Sequence, residues 1–126
     1  MRGMSEEQTF RCPSRILLVE DNPVIAMNTE VLLIDLGAAQ VSIAGTVAEA
    51  LRLVDAEAFD AAILDFRLGD EEDSLPIAER LGTEGIPFIF ATGFDEAVEL
   101  PPDYAPAFLL KKPYSFDDLA RAMRSL

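Results

Sequence analysis

The sequence contains no histidine, no tryptophan and a single cysteine. Without histidine, the chain cannot build a Ser-His-Asp or Cys-His catalytic site, a histidine-ligated metal centre or a phosphohistidine carrier. One cysteine cannot form an internal disulfide or a cysteine-rich zinc site, so Cys12 favours a reducing compartment. Basic residues are also few, with 10 Lys and Arg against 23 Asp and Glu. The net charge of −13 argues against nucleic acid and anionic membranes as partners, and leaves proteins, metal cations and small ligands.

Long apolar runs are absent as well. No stretch of about 18 apolar residues occurs, and residues 1–14 lack the apolar core of a signal peptide. We therefore expect a cytoplasmic protein with a flexible N-terminal tail at residues 1–14. Residues 15–126 suit a single domain, and the 50% of apolar residues argues against disorder.

Five short apolar runs alternate with helical patterns along the predicted domain. Each run is continuous rather than alternating, which is typical of strands in a parallel sheet that is covered on both faces. The runs are residues 16–19, 41–44, 61–64, 88–91 and 107–110. Their order predicts an α/β fold with three layers, built on a doubly wound, five-stranded parallel sheet.

Capping residues predict where the intervening helices begin. The predicted caps are Asn22 before Pro23, Thr46 with Glu49, Ser74, and Ser115 with Asp118. Gly37 is expected to end the first helix. The link between the fourth and fifth strands, residues 93–106, holds three prolines, so a shortened or irregular helix is expected there.

Polar residues stand at the carboxyl ends of four predicted strands, where ligands bind in doubly wound sheets. These residues are Glu20 and Asp21 after the first strand, Asp65 at the third, Thr92 at the fourth and Lys112 at the fifth. Carboxylates that gather at one place need a hard cation with oxygen ligands, and Mg²⁺ suits such a site. A carboxylate can also act as a nucleophile on a phosphoryl group and give an aspartyl phosphate.

A phosphoryl group bound at this edge would need partners for its charged oxygens. Thr92 would supply a hydroxyl group and Lys112 an ammonium group. The chain has only two lysines, Lys111 and Lys112. Because successive strand residues point to opposite faces, we expect one lysine to reach the site and the other to point away.

Together these residues resemble the receiver domain of two-component response regulators. The resemblance is carried by Glu20-Asp21, by Asp65 in Ile-Leu-Asp-Phe-Arg-Leu, by Thr92 in Phe-Ala-Thr-Gly and by Lys112-Pro113, and it covers about residues 15–126. It implies a flavodoxin-like receiver fold with Asp65 as the phosphoacceptor. It further implies that Mg²⁺ is bound by Asp21, Asp65 and the backbone carbonyl of Arg67, with Glu20 acting through water. Thr92 and Lys112 would bind the phosphoryl group.

The run Pro-Phe-Ile-Phe-Ala-Thr-Gly-Phe at residues 87–94 is similar to the "FATGUY" subgroup of single-domain receivers. This resemblance implies a bacterial stand-alone receiver without an output domain. Its phosphodonor would be a sensor histidine kinase, which for this subgroup is of the HWE type or a related one, or a histidine phosphotransfer protein. Its target would be a downstream protein. The receiver would not be an enzyme beyond its own phosphotransfer and autodephosphorylation.

The aromatic residues near the predicted site differ in part from the family pattern. Receivers commonly carry Tyr or Phe three residues before the lysine as a rotamer switch, but Leu109 stands there, and Phe108 is expected to face the other side of the sheet. Tyr114 and Phe94 are expected to flank the site or a docking face. Phosphorylation is expected to order residues 93–106.

Simpler interpretations and other functions remain open at this point. Glu20 and Asp21 could be favourable charges at the start of a helix, Asp65 a turn residue and Thr92 a strand terminus. A phosphorylation-independent pseudo-receiver that acts as an interaction module is the main alternative function. A phosphatase with an aspartyl nucleophile would carry a second Asp where Arg67 stands. A dinucleotide binder would need a Gly-x-Gly-x-x-Gly loop after the first strand, and none occurs.

Overall fold

A computed structural model of the chain describes residues 12–69, 72–93, 102 and 109–126. Within these residues the chain forms seven strands and four helices. In chain order they are β1 (Arg15–Val19), α1 (Pro23–Leu36), β2 (Gln40–Ala44), α2 (Val47–Ala56), β3 (Ala61–Asp65), β4 (Arg67–Leu68), β5 (Glu72–Asp73), α3 (Leu75–Thr83), β6 (Phe88–Thr92), β7 (Leu109–Lys111) and α4 (Phe116–Arg124).

Five strands form one parallel sheet in the order β2-β1-β3-β6-β7. This is the 2-1-3-4-5 order of flavodoxin-like sheets, so the predicted doubly wound α/β fold is confirmed. Strands β4 and β5 pair antiparallel in a separate small hairpin directly after β3. A shortened or irregular helix was expected at residues 93–106, but nearly all of this segment lies outside the described residues. Phe94 and Phe108 lie outside them as well.

Two apolar clusters fill the space between the sheet and its helices. One lies between the sheet and helices α2 and α3, and it includes Leu64 and Phe90. The other lies between the opposite face and helices α1 and α4, and it includes Ile63 and Leu119. Strand β3 is buried along its whole length because helices cover both faces of the sheet at its centre.

Two predicted helix starts and one helix end are made as expected. The side-chain oxygen of Asn22 accepts hydrogen bonds from the backbone N–H groups of the second and third residues of α1. Gly37 ends α1 with φ of 115°, a left-handed conformation that favours glycine. Ser115 and Asp118 form a complete capping box at the start of α4.

The other two caps differ in detail from the prediction. Thr46 accepts a hydrogen bond from the Glu49 backbone N–H as expected, but the Glu49 carboxylate accepts from Gly45 instead of Thr46. Ser74 stands at the N-cap of α3, yet its hydroxyl makes no capping bond, and Asp73 accepts from the first helical N–H instead. The Ser74 backbone has ψ of 10°, whereas a capping hydroxyl is usually placed by an extended backbone.

The segment just before β1 already contacts the domain. The Ser14 carbonyl accepts hydrogen bonds from the backbone N–H groups of Ala39 and Gln40. Cys12 is partly buried and packs against the cluster under α1 and α4. Contacts with the domain therefore begin before residue 15, inside the predicted 1–14 tail, while residues 1–11 lie outside the described part. Among the described helices, none has both the length and the apolar character needed to cross a membrane.

Candidate functional site at the carboxyl edge of the sheet

Backbone hydrogen bonds fix the spacing of the residues that follow the strands. The sheet pairing continues beyond the strand ends: Glu20 N donates to Ala44 O at 2.9 Å, Phe66 N to Ala91 O at 2.8 Å, and Lys112 N to Thr92 O at 2.8 Å. The polar residues therefore leave neighbouring strands at nearly the same level and meet at one edge.

Three carboxylates gather at this edge. One oxygen from each of Glu20, Asp21 and Asp65 lies within 4.8 Å of the other two. Glu20 is 5% exposed and Asp65 is 6% exposed, whereas Asp21 is exposed to solvent. Like charges this close, two of them buried, require a compensating positive charge. The prediction that Asp21 and Asp65 converge is confirmed in its geometry.

Lys112 supplies part of that positive charge. Its Nζ atom lies 2.6 Å from Glu20 Oε1 and 3.0 Å from Asp65 Oδ2. Lys111 is exposed on β7 and takes no part in these ion pairs. Of the two lysines, Lys112 is therefore the one that reaches the site, and its peptide bond to Pro113 is cis.

The electrostatic state of Asp65 reflects its burial. Burial raises the pKa of Asp65 to about 7, the hydrogen bond from Lys112 opposes this rise, and the negative charge of Glu20 adds to it. Burial alone would lower the pKa of Lys112, but its bonds to Glu20 and Asp65 outweigh this effect and raise it. Lys112 is thus an ammonium group that two carboxylates share.

The charge balance of the cluster favours a divalent cation. With all groups ionised, three carboxylates and one ammonium give −3 + 1 = −2. Carboxylate oxygens are hard ligands of the kind that Mg²⁺ binds. The donor set therefore fits the expected ion, with Asp21 on the open side of the cluster.

Thr92 adds a buried hydroxyl to the same edge. It ends β6, one residue beyond the strand partner of Asp65, and is 0% exposed. Its Oγ1 atom has no hydrogen-bond partner among the described residues. A buried hydroxyl without a partner is costly, so this group is a ready donor for an oxygen-rich ligand.

The structure shows where Arg67 and Leu109 lie but does not test the roles discussed for these two positions. Arg67 is exposed and begins β4, and the role of its backbone carbonyl as a metal ligand stays a prediction. Leu109 is partly buried and packs on the face that carries α2 and α3. It occupies the position where an aromatic switch was expected from the family pattern.

One contact near the site involves a residue that sequence reasoning missed. Thr29 Oγ1 and the Tyr114 hydroxyl lie 2.6 Å apart and share a hydrogen bond. Tyr114 was expected near the site, but Thr29 was not. The signal was its spacing: Thr29 falls with Ala26 and Leu33 on the buried stripe of α1, where a polar side chain needs a partner.

Comparison with known proteins agrees with this geometry. The sequence profile of the response regulator receiver domain matches residues 16–124. The chain belongs to this family. The flavodoxin-like receiver fold expected from the sequence is thereby confirmed.

Relatives of this receiver include both longer regulators and stand-alone structures. It is 34% identical to the phyllosphere-induced regulator PhyR of Methylorubrum extorquens over 103 residues, which are 80% of this chain and 39% of PhyR. It is 29% identical to the transcriptional regulatory protein PdtaR of Mycobacterium tuberculosis over 98% of this chain and 61% of PdtaR. The receiver thus spans less than two thirds of these two curated relatives.

The protein SdrG of Sphingomonas melonis Fr1 is similar over nearly its whole length. Its solution structure covers 89% of this chain and 94% of SdrG, with 38% identity and a TM-score of 0.75. A second solution structure shows the BeF₃-activated conformation of SdrG, with the organism given as Pseudomonas melonis Fr1. It covers 88% of this chain and 93% of SdrG, with 40% identity and a TM-score of 0.74.

Proposed function

We propose that this receiver is a phosphoacceptor response regulator in two-component signalling. Asp65 takes a phosphoryl group from a phosphohistidine on a sensor histidine kinase or a histidine phosphotransfer protein. The phosphorylated form then changes its binding to a downstream protein. The observation that carries this proposal is the buried Asp65 carboxylate, 3.0 Å from Lys112 Nζ and clustered with Glu20 and Asp21.

The transfer needs a nucleophile and partners for the phosphoryl oxygens. A carboxylate oxygen of Asp65 attacks phosphorus, so that a P–O bond forms as the P–N bond of the phosphohistidine breaks and the imidazole leaves with the bonding electrons. Lys112 is already placed beside Asp65 and can pair with the incoming oxygens. The unpartnered Thr92 hydroxyl can donate to another of them.

A divalent cation completes the charge balance of this step. Asp21 and Asp65 would bind Mg²⁺ directly, with the Arg67 carbonyl as a further ligand and Glu20 acting through water. Mg²⁺ supplies charge neutralisation at the phosphoryl oxygens when it is bound. Glu20 also accepts a hydrogen bond from the Asn22 backbone at 3.1 Å, which keeps its carboxylate turned toward the cluster.

The same proposal includes the expected biological setting. SdrG, which is similar to this chain over nearly its whole length, has a BeF₃-activated conformation, and this likeness supports a phosphoryl-responsive state for this receiver. The phosphodonor would be a sensor histidine kinase, with the HWE type suggested by the subgroup resemblance, or a histidine phosphotransfer protein in a bacterial cytoplasm. The net charge of −13 supports a protein target rather than nucleic acid or membrane. Turnover of phosphate esters is not expected, since Arg67 replaces the second Asp of aspartyl phosphatases.

Phosphorylation by acetyl phosphate tests the proposal. With Mg²⁺ present, intact-mass measurement should show the gain of one phosphoryl group on the wild-type chain and none on Asp65→Asn. Asp35→Asn is the matched control, because Asp35 is an exposed carboxylate in the last turn of α1, far from the end that follows Asp21. It should be phosphorylated like the wild type.

A negative result has a defined meaning. If the wild-type chain gains no phosphoryl group and binds no beryllofluoride in Mg²⁺, the pseudo-receiver alternative replaces the proposal. Equal labelling of Asp65→Asn and wild type would place the phosphoacceptor elsewhere.

A further inference from the structure

A partly buried hydrogen bond joins α1 to the segment after β7. Thr29 Oγ1 and the Tyr114 hydroxyl lie 2.6 Å apart although 85 positions separate them in sequence. Thr29 is 1% exposed, and Tyr114 is partly buried. The contact has no assigned part in phosphoryl transfer.

Tyr114 is connected to Lys112 by a short and stiff piece of chain. Only Pro113 stands between them, and its ring fixes φ. On the other side, the Lys112 backbone N–H is held by Thr92 O at 2.8 Å. The backbone N–H of Lys112 therefore ties it to β6, and two residues later the Tyr114 hydroxyl ties the chain to α1.

Tyr114 is partly buried and packs against the apolar cluster under α1 and α4, but this packing leaves one side of it uncovered. An open cavity of about 390 Å³ lies beside it, and Ile25, Leu32 and Lys112 also line this cavity. Because the cavity borders both Tyr114 and Lys112, a freed loop has room to move. The hydroxyl bond to Thr29 is the directional contact that prevents this movement.

We propose that Thr29 and Tyr114 are positioning residues that hold the ammonium group of Lys112 between Glu20 and Asp65. Helix α1 serves as the common base, since the Asn22 backbone at its start also binds Glu20. Contacts with α1 thus help to hold both Lys112 and its partner Glu20. For its effect on phosphoryl binding, this inference rests on the proposed function.

Amine labelling tests the placement of Lys112 without any phosphoryl group. The chain has two lysines, so peptide mass spectrometry can report Lys112 acylation with the exposed Lys111 as an internal reference. Tyr114→Phe and Thr29→Val each remove one hydroxyl and should raise the ratio of Lys112 to Lys111 labelling severalfold. Thr29→Ser keeps the hydroxyl and should restore the wild-type ratio.

A control separates this effect from general loss of stability. Val54→Ala truncates a buried side chain on the opposite face of the sheet. It should lower stability while leaving the Lys112 to Lys111 ratio unchanged. If Val54→Ala raises the ratio as much as Tyr114→Phe does, the pair has only a structural role and the inference is overturned.

Ligand binding gives a second readout. Tyr114→Phe should weaken beryllofluoride binding in Mg²⁺ by about three- to tenfold, the range for loss of one hydrogen bond. Mg²⁺ affinity alone should be equal or tighter, because Lys112 competes with the cation for Glu20 and Asp65. The double variant, Thr29→Val with Tyr114→Phe, should bind beryllofluoride no more weakly than either single variant.

The outcomes distinguish this inference from the proposed function. An unchanged labelling ratio in both hydroxyl-deleted variants, or equal weakening of Mg²⁺ and beryllofluoride binding, overturns the positioning role. A wild-type chain that binds no beryllofluoride overturns the proposed function, and the labelling ratio then still decides whether the pair positions Lys112.

Discussion

The interior of the sheet and its carboxyl edge both hold buried side chains, but these side chains differ in chemistry. In the interior of β3, Ile63 and Leu64 are 1% and 0% exposed, and both are apolar. At the edge, Glu20 and Asp65 are 5% and 6% exposed, and both are acidic. Burial of the first pair stabilises the fold, whereas burial of the second pair costs free energy.

The difference shows which part of the molecule carries stability. Burial disfavours the charged form of Asp65 and raises its pKa to about 7. The ammonium of Lys112 offsets this cost only in part. The apolar interior therefore holds together an edge whose composition suits ligand chemistry rather than stability.

The largest stability effect is expected in the interior. Phe90 is 0% exposed and contacts the rings of Phe66 and Phe88, so Phe90→Ala should lower the free energy of unfolding by about 3–5 kcal/mol. Urea unfolding followed by circular dichroism measures this loss. Ile43→Ala, at a side chain that is 38% exposed, should cost much less. Equal losses of unfolding free energy in Phe90→Ala and Ile43→Ala would show that the buried interior does not carry most of the stability.

A smaller effect of opposite sign is expected at the edge. Asp65 titrates near 3.8 when unfolded and near 7 when folded, so the folded state binds the proton more tightly. Its contribution to stability is present below pH about 4 and is lost as pH rises through 7. In EDTA at pH 8, Asp65→Asn should therefore be more stable than wild type, by about 1–3 kcal/mol.

The pH dependence of thermal melting checks this prediction. The advantage of Asp65→Asn should shrink steadily as the pH falls toward 4, where the wild-type carboxyl is protonated and resembles the amide. A gain that is the same at pH 4 and pH 8, or a loss at pH 8, would contradict the assigned cost of the buried carboxylate.

Thr92→Val should affect ligand binding more than folding. The Thr92 hydroxyl has no partner among the described residues, so replacing it by a methyl group should leave unfolding unchanged or raise its free energy by up to about 1 kcal/mol. Beryllofluoride affinity in Mg²⁺ should fall about tenfold. A clear loss of stability with unchanged affinity would show that Thr92 only terminates its strand.

The smallest stability effect is expected for Asp21. Since Asp21 is exposed, Asp21→Asn should change the free energy of unfolding by less than about 0.5 kcal/mol. Its Mg²⁺ affinity, followed by calorimetric titration, should nevertheless drop about tenfold. Unchanged Mg²⁺ affinity would remove Asp21 from the proposed ligand set.

Much of the fold and the position of the site could be predicted from the sequence. Continuous apolar runs identify buried parallel strands, and the residue after each run must then lie at the sheet edge. This predicted that Asp65 and one of the two lysines lie at the same edge, and the resemblance to receivers indicated Lys112. Because successive residues of a strand point to opposite faces, Lys111 and Lys112 were also expected to point in different directions.

The missing details depend on contacts between distant segments. Ser74 has the residue type of a cap but not its backbone conformation, and residue type alone does not fix ψ. The partner of Thr29 comes from the loop before α4, so its identity depends on how α1 lies against that loop. The place of Thr29 on the buried stripe of α1 could have shown that its hydroxyl needs a partner, but not which group would provide it.

A two-step NMR titration of the wild-type chain tests the central claim most directly. Mg²⁺ should first shift the backbone amide signals around Glu20, Asp21 and Asp65, and beryllofluoride should then shift those of Thr92 and Lys112. The second step should require the first and should vanish in Asp65→Asn. If Mg²⁺ leaves the signals at the acidic cluster unmoved, or if beryllofluoride binds Asp65→Asn as well as wild type, the carboxyl edge is not a phosphoryl site.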